Sequence, residues 1–485
     1  MKKSAMAVAA LLAACNTAPP SLLPPPFGPD GPSPPRLFFP TGLAQTHDGT
    51  LLVANGNFNR AFDSGTVVSI SRGYLDTLFR NQLDCDPLPA GDGGVSQQPA
   101  ACIINPIPPE QFPGSVMIGS FAGPLALNTD GTVALAGSRD TGLLNSVGVE
   151  PGGVLHCTAD SGGAASQDCR QGLTKLDLPD AGVDGPFTIV PGDTYLPGTA
   201  VAKPVLFVSS IIPHVDSISG GVPLTSSNVA VLDMQDPTVL LYTMRAATEF
   251  VAGGTGVGPM VFDSVRRALF LGGCYVRSTA LGTGTPGSTV CVGGTTNYLR
   301  ILNVDSMDAV DPVVLDLRSD VRSTYTVQLL LGDPDPANQG APKTLWATMR
   351  GPDSLVRIEL PVTDPSVIPR VRKIIPLPIS PADMVRIVRT GAPDLIAVAA
   401  ERQNSVAIVD TTTDEVVAEV GQLGDAPFFI RQIDCPVDMA GAPSFSGSAC
   451  LVTSVFGACR IALIEVPLGQ PSQSKLRALA GSCPQ

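Results

Sequence analysis

Residues 394–420 read DLIAVAAERQNSVAIVDTTTDEVVAEV and show the strand pattern of this chain most clearly. Three β-rich runs, at 395–398, 405–410 and 415–420, are separated by short polar segments. Short runs rich in valine and isoleucine that are bounded by Asn, Asp and Thr are typical of strands joined by tight turns. The stretch therefore predicts three consecutive strands of one small antiparallel sheet.

The same arrangement recurs along residues 37–485. In the first two units Asp-Gly-Thr, at 48–50 and 130–132, separates two apolar runs, and Asp-Gly accepts the positive φ of a hairpin turn. Candidates for the middle strands of the units lie at 51–54 and 65–70, 133–136, 205–208 and 229–233, 268–271 and 299–303, 345–348 and 354–358, 395–398 and 405–410, and 450–453 and 460–464. Seven units of roughly 60 residues each predict an all-β repeat fold.

Repeating four-stranded units of this kind resemble the blades of a β-propeller. Residues 394–420 resemble the repeat of the YVTN/NHL-like propellers in particular, whereas long loops separate the first four units from that pattern. The resemblance implies one β-propeller over 37–485, with seven blades of four antiparallel strands. Separate β-sandwich domains are the alternative, but no Pro/Gly/Ser linker divides this region.

The N-terminus has the pattern of an export signal. Lys2 and Lys3 precede the apolar run 5–14, which is too short to span a bilayer as a helix. The run ends in Leu-Ala-Ala-Cys at 12–15, which resembles the lipobox of bacterial lipoproteins. The resemblance implies a signal peptide over 1–14 and a lipid on Cys15; an ordinary secretory signal followed by a chance cysteine is the alternative.

The segment 15–36 is rich in proline, so we expect an extended tether between membrane and body. Asn16 follows the cysteine where an Asp would resemble an inner-membrane retention signal, which favours an outer-membrane lipoprotein of the cell envelope, facing the periplasm or the surface. The membrane would then be a partner through the acyl chains alone. A formal net charge of −13 argues against nucleic acid as a partner.

The eleven cysteines support an oxidising compartment. Without Cys15 ten remain, and these lie as near neighbours in sequence. Sequential pairing, one possibility among many, joins Cys85 to Cys102, Cys157 to Cys169, Cys274 to Cys291, Cys435 to Cys450, and Cys459 to Cys483. We predict the last bond specifically, because the start of the third strand and the end of the fourth meet in an antiparallel last blade. That blade supplies all four of its own strands, so we expect no strand exchange at the joint of the ring.

Candidate binding residues are taken from the segments between second and third strands, which by resemblance lie at one end of the central channel. They are Asn55, Asn57, Arg139, Asp140, His214, Asp216, Arg350, Asp353, Glu401 and Arg402. A ring of mixed charge of this kind suits a polar ligand or a peptide, and ordinary solvated loop residues are the alternative.

The sequence offers little catalytic chemistry. It has no CxxC, no Gly-x-Ser-x-Gly and no phosphate-binding loop, and only three histidines. We predict no catalytic residue, no metal and no cofactor. The leading hypothesis is a lipid-anchored propeller that binds a protein or small molecule. The alternative is a hydrolase resembling propeller lactonases, with a metal held in the channel by acids and one histidine.

Overall fold

The structure, a computed structural model, describes residues 23–27, 34–81, 85, 102–158, 166–170, 175–177, 182–196, 199–211, 214–219, 222–249, 257–276, 295–305, 313–316, 325–334, 340–360, 369–437 and 444–483. The predicted signal peptide, Cys15 and much of the tether lie outside these residues. No helix within them is both long and apolar enough to cross a membrane.

Antiparallel sheets dominate the described chain. The strands of the first half are β1 Pro40–Gln45, β2 Leu51–Asn55, β3 Gly65–Ile70, β4 Ile103–Ile104, β5 Ser115–Ile118, β6 Ala122–Leu127, β7 Val133–Ser138, β8 Leu143–Val149, β9 Leu155–Cys157, β10 Lys175–Asp177, β11 Pro186–Tyr195, β12 Ala202–Ser210, β13 His214–Ser219, β14 Val222–Asp233 and β15 Leu240–Glu249. Those of the second half are β16 Val257–Asp263, β17 Ala268–Val276, β18 Thr295–Asn303, β19 Val313–Asp316, β20 Tyr325–Leu331, β21 Thr344–Arg350, β22 Ser354–Glu359, β23 Arg370–Pro376, β24 Pro381–Ile387, β25 Leu395–Ala400, β26 Ser405–Asp410, β27 Glu415–Val420, β28 Pro427–Ile433, β29 Ser448–Val455, β30 Arg460–Pro467 and β31 Lys475–Ala480.

The strands form seven sheets, which are the blades of a β-propeller. Blade 1 holds β1, β2, β3 and β5, and blades 4 to 7 are built from β16–β19, β20–β23, β24–β27 and β28–β31. Blade 2 holds β6–β10 and blade 3 holds β11–β15, each with one additional strand. The first strand of each blade contacts the first strand of the next, and β28 returns to β1, so the ring is closed. The predicted seven-bladed propeller is confirmed.

Burial explains why the middle strands were visible in the sequence. All six residues of β25 are buried, and so are the first five of β26, because both faces of each sheet pack against neighbouring blades. One apolar cluster joins blades 6 and 7 and another joins blades 5 and 6. Middle strands therefore read as continuous apolar runs.

Both Asp-Gly-Thr segments form the predicted hairpin turns. Gly49 and Gly131 have φ values of 85° and 70°, a region that side chains with a Cβ rarely adopt. The first of these turns also joins two blades, because Asp48 Oδ2 accepts a hydrogen bond from the Gly152 amide at 2.7 Å.

Four of the five sequential cysteine pairs are disulfides in the structure: Cys85–Cys102, Cys157–Cys169, Cys435–Cys450 and Cys459–Cys483. The bond predicted for the last blade is among them. The pairing of Cys274 with Cys291 lies outside the described side chains and stays a prediction.

At the joint between blades 7 and 1, an insertion of blade 1 packs on blade 7, which was not predicted from the sequence. Blade 7 supplies its four strands locally, as predicted, but β4 of the long insertion in blade 1 adds to its outer edge, parallel to β31. The insertion also contains helix α1, Arg72–Arg80, whose buried residues Leu75, Leu78 and Phe79 pack against blade 7. We name α1 and β4 together the strap. It fastens the first blade to the last without exchanging a blade strand. The 3-10 helices Pro109–Gln111 and Pro471–Gln473 complete the described helical elements.

Candidate functional site at the channel mouth

One face of the ring is formed by the loops between second and third strands and by the links that enter each blade. A repeated backbone bond builds it: the residue after the second strand donates to the carbonyl of the residue before the first. Gly56 donates to Phe39 at 2.9 Å, and Glu401 and Phe456 donate at 2.8 Å to Ser380 and Ala426. Because first strands line the channel, this face surrounds the channel mouth.

Six half-buried phenylalanines gather at the mouth, from blades 7, 1, 2 and 3. They are Phe39, Phe58, Phe121, Phe187, Phe428 and Phe456. We name this group the aromatic mouth. Phe58 packs edge-on against both Phe121 and Phe456 with ring centroids 5.0 Å apart, and Phe456 also contacts Phe39 at 5.1 Å and Phe428 at 6.1 Å. These phenyl rings keep part of their apolar surface in contact with solvent, and together they form one contiguous aromatic patch.

The backbone places these rings. Phe39 and Phe121 stand immediately before the first strands of blades 1 and 2, with φ values of 49° and 53°. Phe187 and Phe428 are the second residues of β11 and β28, again at the beginning of a first strand. Phe58 and Phe456 belong to the loops that follow second strands. Two regions of the repeat therefore carry the cluster, the start of the first strand and the loop after the second strand, although the exact position differs between blades.

Two arginines lie on the rings. The Arg139 guanidinium is 5.0 Å from the Phe58 ring centroid and 5.8 Å from that of Phe187, and its Nε donates to the Phe121 carbonyl at 3.2 Å. Arg60, which is exposed, lies 5.2 Å from the Phe121 centroid. Burial lowers the pKa of Arg139, and no carboxylate among the described residues forms an ion pair with it. The mouth thus presents a desolvated, aromatic-stacked positive charge.

Two of the predicted binding residues, Asn55 and Asn57, are fully buried and bind the protein's own chain. Asn55 accepts from the Phe38 amide at 3.0 Å and donates to the Arg36 carbonyl at 3.0 Å and the Thr66 hydroxyl at 2.9 Å. Asn57 donates to the Phe62 carbonyl at 2.6 Å and to Ser120 Oγ, in the link to blade 2, at 3.0 Å. Their amides connect the strands and loops around the mouth to one another.

The charged candidates of blades 5 and 6 form a second internal network. Arg350 donates to Glu401 Oε2 and to the Pro381 carbonyl, both at 2.8 Å, and Asp353 accepts from the Ser380 amide at 3.1 Å. These bonds join the two blades. Arg402 is exposed on the same face.

Asp140 and Arg139 are adjacent but differ in role. Asp140 reaches solvent, accepts from the Ser120 amide at 3.2 Å, and has its pKa raised because the surrounding protein desolvates the carboxylate. Arg139 points between phenyl rings. Of the nine predicted binding residues whose side chains the structure describes, Arg139 is the one that lies against the phenyl rings of the aromatic mouth.

His214 and Asp216 lie in strand β13, where the sequence placed a loop. β13 pairs with the first half of β14, which is longer than a usual blade strand and also pairs with β12. His214 Nδ1 is 3.2 Å from Asp184 Oδ2. The side chain of Asp216 lies outside the described residues, so its predicted binding role stays a prediction.

One buried acid, Asp383, joins three of the first strands that line the channel. Asp383, 3% exposed, accepts from Gln328 Nε2 at 2.8 Å and from the Ile430 amide at 3.1 Å, and forms an ion pair with Arg431. These groups belong to the first strands of blades 5, 6 and 7. Across the described residues, no group of three or more His, Cys, Asp or Glu side chains could hold a metal ion.

The phenylalanines were not predicted from the sequence, because the candidate binding residues were all polar or charged residues of loops. A signal was present: Phe39, Phe121, Phe187 and Phe428 fall at the start of the first-strand segment in four of the seven units. Aligning the units on their strands would have shown this recurrence.

Comparisons with known proteins support the fold alone. No family model matches the chain, and no curated protein matches it. Among solved structures it is similar to the hydrazine synthase of Kuenenia stuttgartiensis, with a TM-score of 0.51 and 10% identity over 90% of this chain and 98% of that one. A putative 6-phosphogluconolactonase from Bacteroides fragilis has a TM-score of 0.41 and 12% identity over 78% of this chain and 82% of that one. Apo AztD from Citrobacter koseri has a TM-score of 0.39 and 12% identity over 91% and 86%.

Proposed function

We propose that this chain is an exported, lipid-anchored β-propeller that binds a ligand at its aromatic mouth. The observation that carries the binding function is Arg139, which is stacked between Phe58 and Phe187 with no carboxylate partner among the described residues. Aromatic and arginine side chains dominate the energetics of protein binding sites. A desolvated guanidinium beside phenyl rings suits a ligand, protein or small molecule, that joins an anionic group to an apolar body.

The hydrolase alternative needs several acids that converge on one point of the channel. The acids described near the channel are occupied by the protein itself: Asp383 by Arg431, Glu401 by Arg350, and Asp353 by the Ser380 amide. Binding through the aromatic mouth is therefore the better-supported function.

The anchoring half of the proposal rests on the Leu-Ala-Ala-Cys register at 12–15 and on the disulfides, which persist in oxidising compartments. We expect the Cys15→Ala variant to lose its lipid, because a thiol is the group that carries the diacylglycerol. Cells that produce each form are labelled with a clickable fatty acid, and label is read on the immunoprecipitated protein. Label on wild type and none on the variant is the expected outcome. Equal label on both would refute the anchor at Cys15.

The binding half is tested with 1-anilinonaphthalene-8-sulfonate, an aromatic sulfonate dye that has the proposed ligand chemistry. We expect saturable binding to the wild type and at least about tenfold weaker binding to Arg139→Gln and to Phe58→Ala, a loss of about 1.4 kcal/mol each. The first variant removes the charge and the second the stacking ring. Fluorescence titration measures the dissociation constants.

Arg370→Gln is the matched control, because Arg370 is an exposed arginine on the outermost strand of blade 5. We expect it to bind the dye as the wild type does. If both mouth variants also bind like the wild type, the dye binds elsewhere and the mouth is not the site.

A further inference from the structure

A cleft between blades 5 and 6 opens on the face opposite the aromatic mouth. Its volume is about 340 Å³, within the range of small-molecule sites. The apolar part of its wall is formed by Leu330, Trp346, Ile396, Pro334 and Pro393. The position follows from the fold, because the segments between first and second strands of both blades meet there.

Charged groups of the cleft are arranged around Arg386, at the end of the first strand of blade 6. Its Nη1 donates to the Gly332 carbonyl at 3.0 Å and lies 3.6 Å from Asp333 Oδ1, and its Nε lies 3.4 Å from Asp394 Oδ2. Asp394 is buried and also accepts from the Arg389 amide at 2.9 Å, whereas Asp333 is exposed. One guanidinium thus holds two carboxyl groups at the floor of the cleft.

On the opposite wall, the positive charge of Arg357 is already paired with a carboxylate of the protein. Arg357 lies 5.6 Å from the Trp346 ring centroid and is 3.1 Å from Asp414 Oδ2. Lys343 stands at the rim. A cationic ligand would compete with Arg386 for Asp333 and Asp394, and an anionic ligand would place a further negative charge beside these two acids. An uncharged ligand with many hydroxyl groups meets neither cost.

We propose that this cleft binds a neutral polyhydroxylated molecule, such as a monosaccharide, whose hydroxyls bond to Asp333, Asp394 and Arg386 while its apolar face lies on the Trp346 side. This site is separate from the aromatic mouth and does not depend on the function proposed there. When Asp333 is protonated, its carboxyl group and that of Asp394 offer a donor and an acceptor side by side, as vicinal hydroxyls require.

The protonation of Asp333 gives the site a pH dependence. Partial desolvation and the neighbouring Asp394 raise the pKa of Asp333 to about 6, although Arg386 opposes the rise. Among the described residues of the cleft, the charged groups beside it are Asp394 and Arg386, with Lys343 and Arg357 on the other walls. If the protonated Asp333 carboxyl donates a hydrogen bond to the sugar, the affinity for the sugar is highest well below pH 6. It falls as the pH rises through 6, and it is about tenfold weaker at pH 7 than at pH 5.

Trp346 is the single tryptophan of the chain and lies in the cleft wall, so intrinsic tryptophan fluorescence reports on this site alone. The purified protein is titrated with glucose, galactose, mannose and N-acetylglucosamine, with glucuronate and glucosamine as the charged arms. Calorimetry provides a second readout. We expect a saturable change with at least one neutral sugar, about tenfold stronger at pH 5 than at pH 7.

Asp333 is exposed, so its variants are expected to fold. Asp333→Asn keeps a donor at every pH, and we expect it to bind without the pH dependence. Asp333→Ala should bind at least about tenfold more weakly at pH 5, and the control Glu419→Gln, on the outer strand of blade 6, should match the wild type. Absence of saturable binding for all neutral sugars by both readouts, binding of a charged arm alone, or pH-independent binding by wild type would each overturn the proposal.

Discussion

Asp383→Ala is expected to lower the free energy of unfolding by about 3 kcal/mol, although the residue touches no proposed ligand. Asp383 is 3% exposed and binds Gln328 from blade 5 and both the Ile430 amide and Arg431 from blade 7. Its removal leaves a donor from each neighbouring blade without its carboxylate acceptor. The ring would lose a bridge between three first strands.

The size of this effect is measured by urea unfolding of wild type and variant, followed by circular dichroism. Asp383→Asn should cost less than the alanine variant, since the amide oxygen still accepts one of the hydrogen bonds. Glu359→Ala is the matched control: it removes an acid that also pairs with an arginine, Arg372, but at an exposed position. We expect it to shift stability by at most about 0.5 kcal/mol. A value for Asp383→Ala equal to that of the control would contradict the bridging role.

The fold was predictable because the propeller repeats one local pattern. Middle strands are buried on both faces, so each appears in the sequence as an apolar run. The hairpin turns at Gly49 and Gly131 are predicted by the Asp-Gly pairs at these positions. The disulfide between Cys459 and Cys483 followed from antiparallel neighbours alone. In each case the information lies within a single blade of the sequence.

The candidate site was not predictable in the same way, because its members come from different blades. Arg139 is adjacent in sequence to Asp140, yet its environment is set by Phe58 and Phe187 from the blades on either side. Asn57 looked like a free loop amide, and its partner Ser120 is 63 residues away. Loop position indicates which face a residue occupies, but it cannot distinguish a ligand-binding side chain from one that joins blades.

The strap was not predicted from the sequence either, because it joins the first blade to the last. A substitution in the strap is the second change for which we expect a large loss of stability. Phe79→Ala is expected to cost about 3–5 kcal/mol of unfolding free energy, because the ring is 1% exposed and leaves a cavity against blade 7. Phe79 packs edge-on against Phe445 with centroids 5.8 Å apart. The same helix is tied to blade 7 by Arg80, which donates to the Val437 carbonyl at 2.9 Å. Loss of the phenyl ring should therefore loosen the docking of α1 on the last blade.

Stability alone would not show that the strap closes the ring, because any buried phenylalanine costs a similar amount. Phe207→Ala is the matched variant, since Phe207 is fully buried in blade 3, far from the joint. Hydrogen exchange separates the two: β31 is an inner neighbour of the strap and should exchange faster in Phe79→Ala, while in Phe207→Ala it should keep its protection relative to the other blades. Local opening at β31 in the first variant alone would establish that the insertion of blade 1 holds the outer strand of blade 7. Equal protection of β31 in both variants would mean that the sheet hydrogen bonds and the Cys459–Cys483 disulfide suffice to hold that strand, and that the helix only covers an edge already closed.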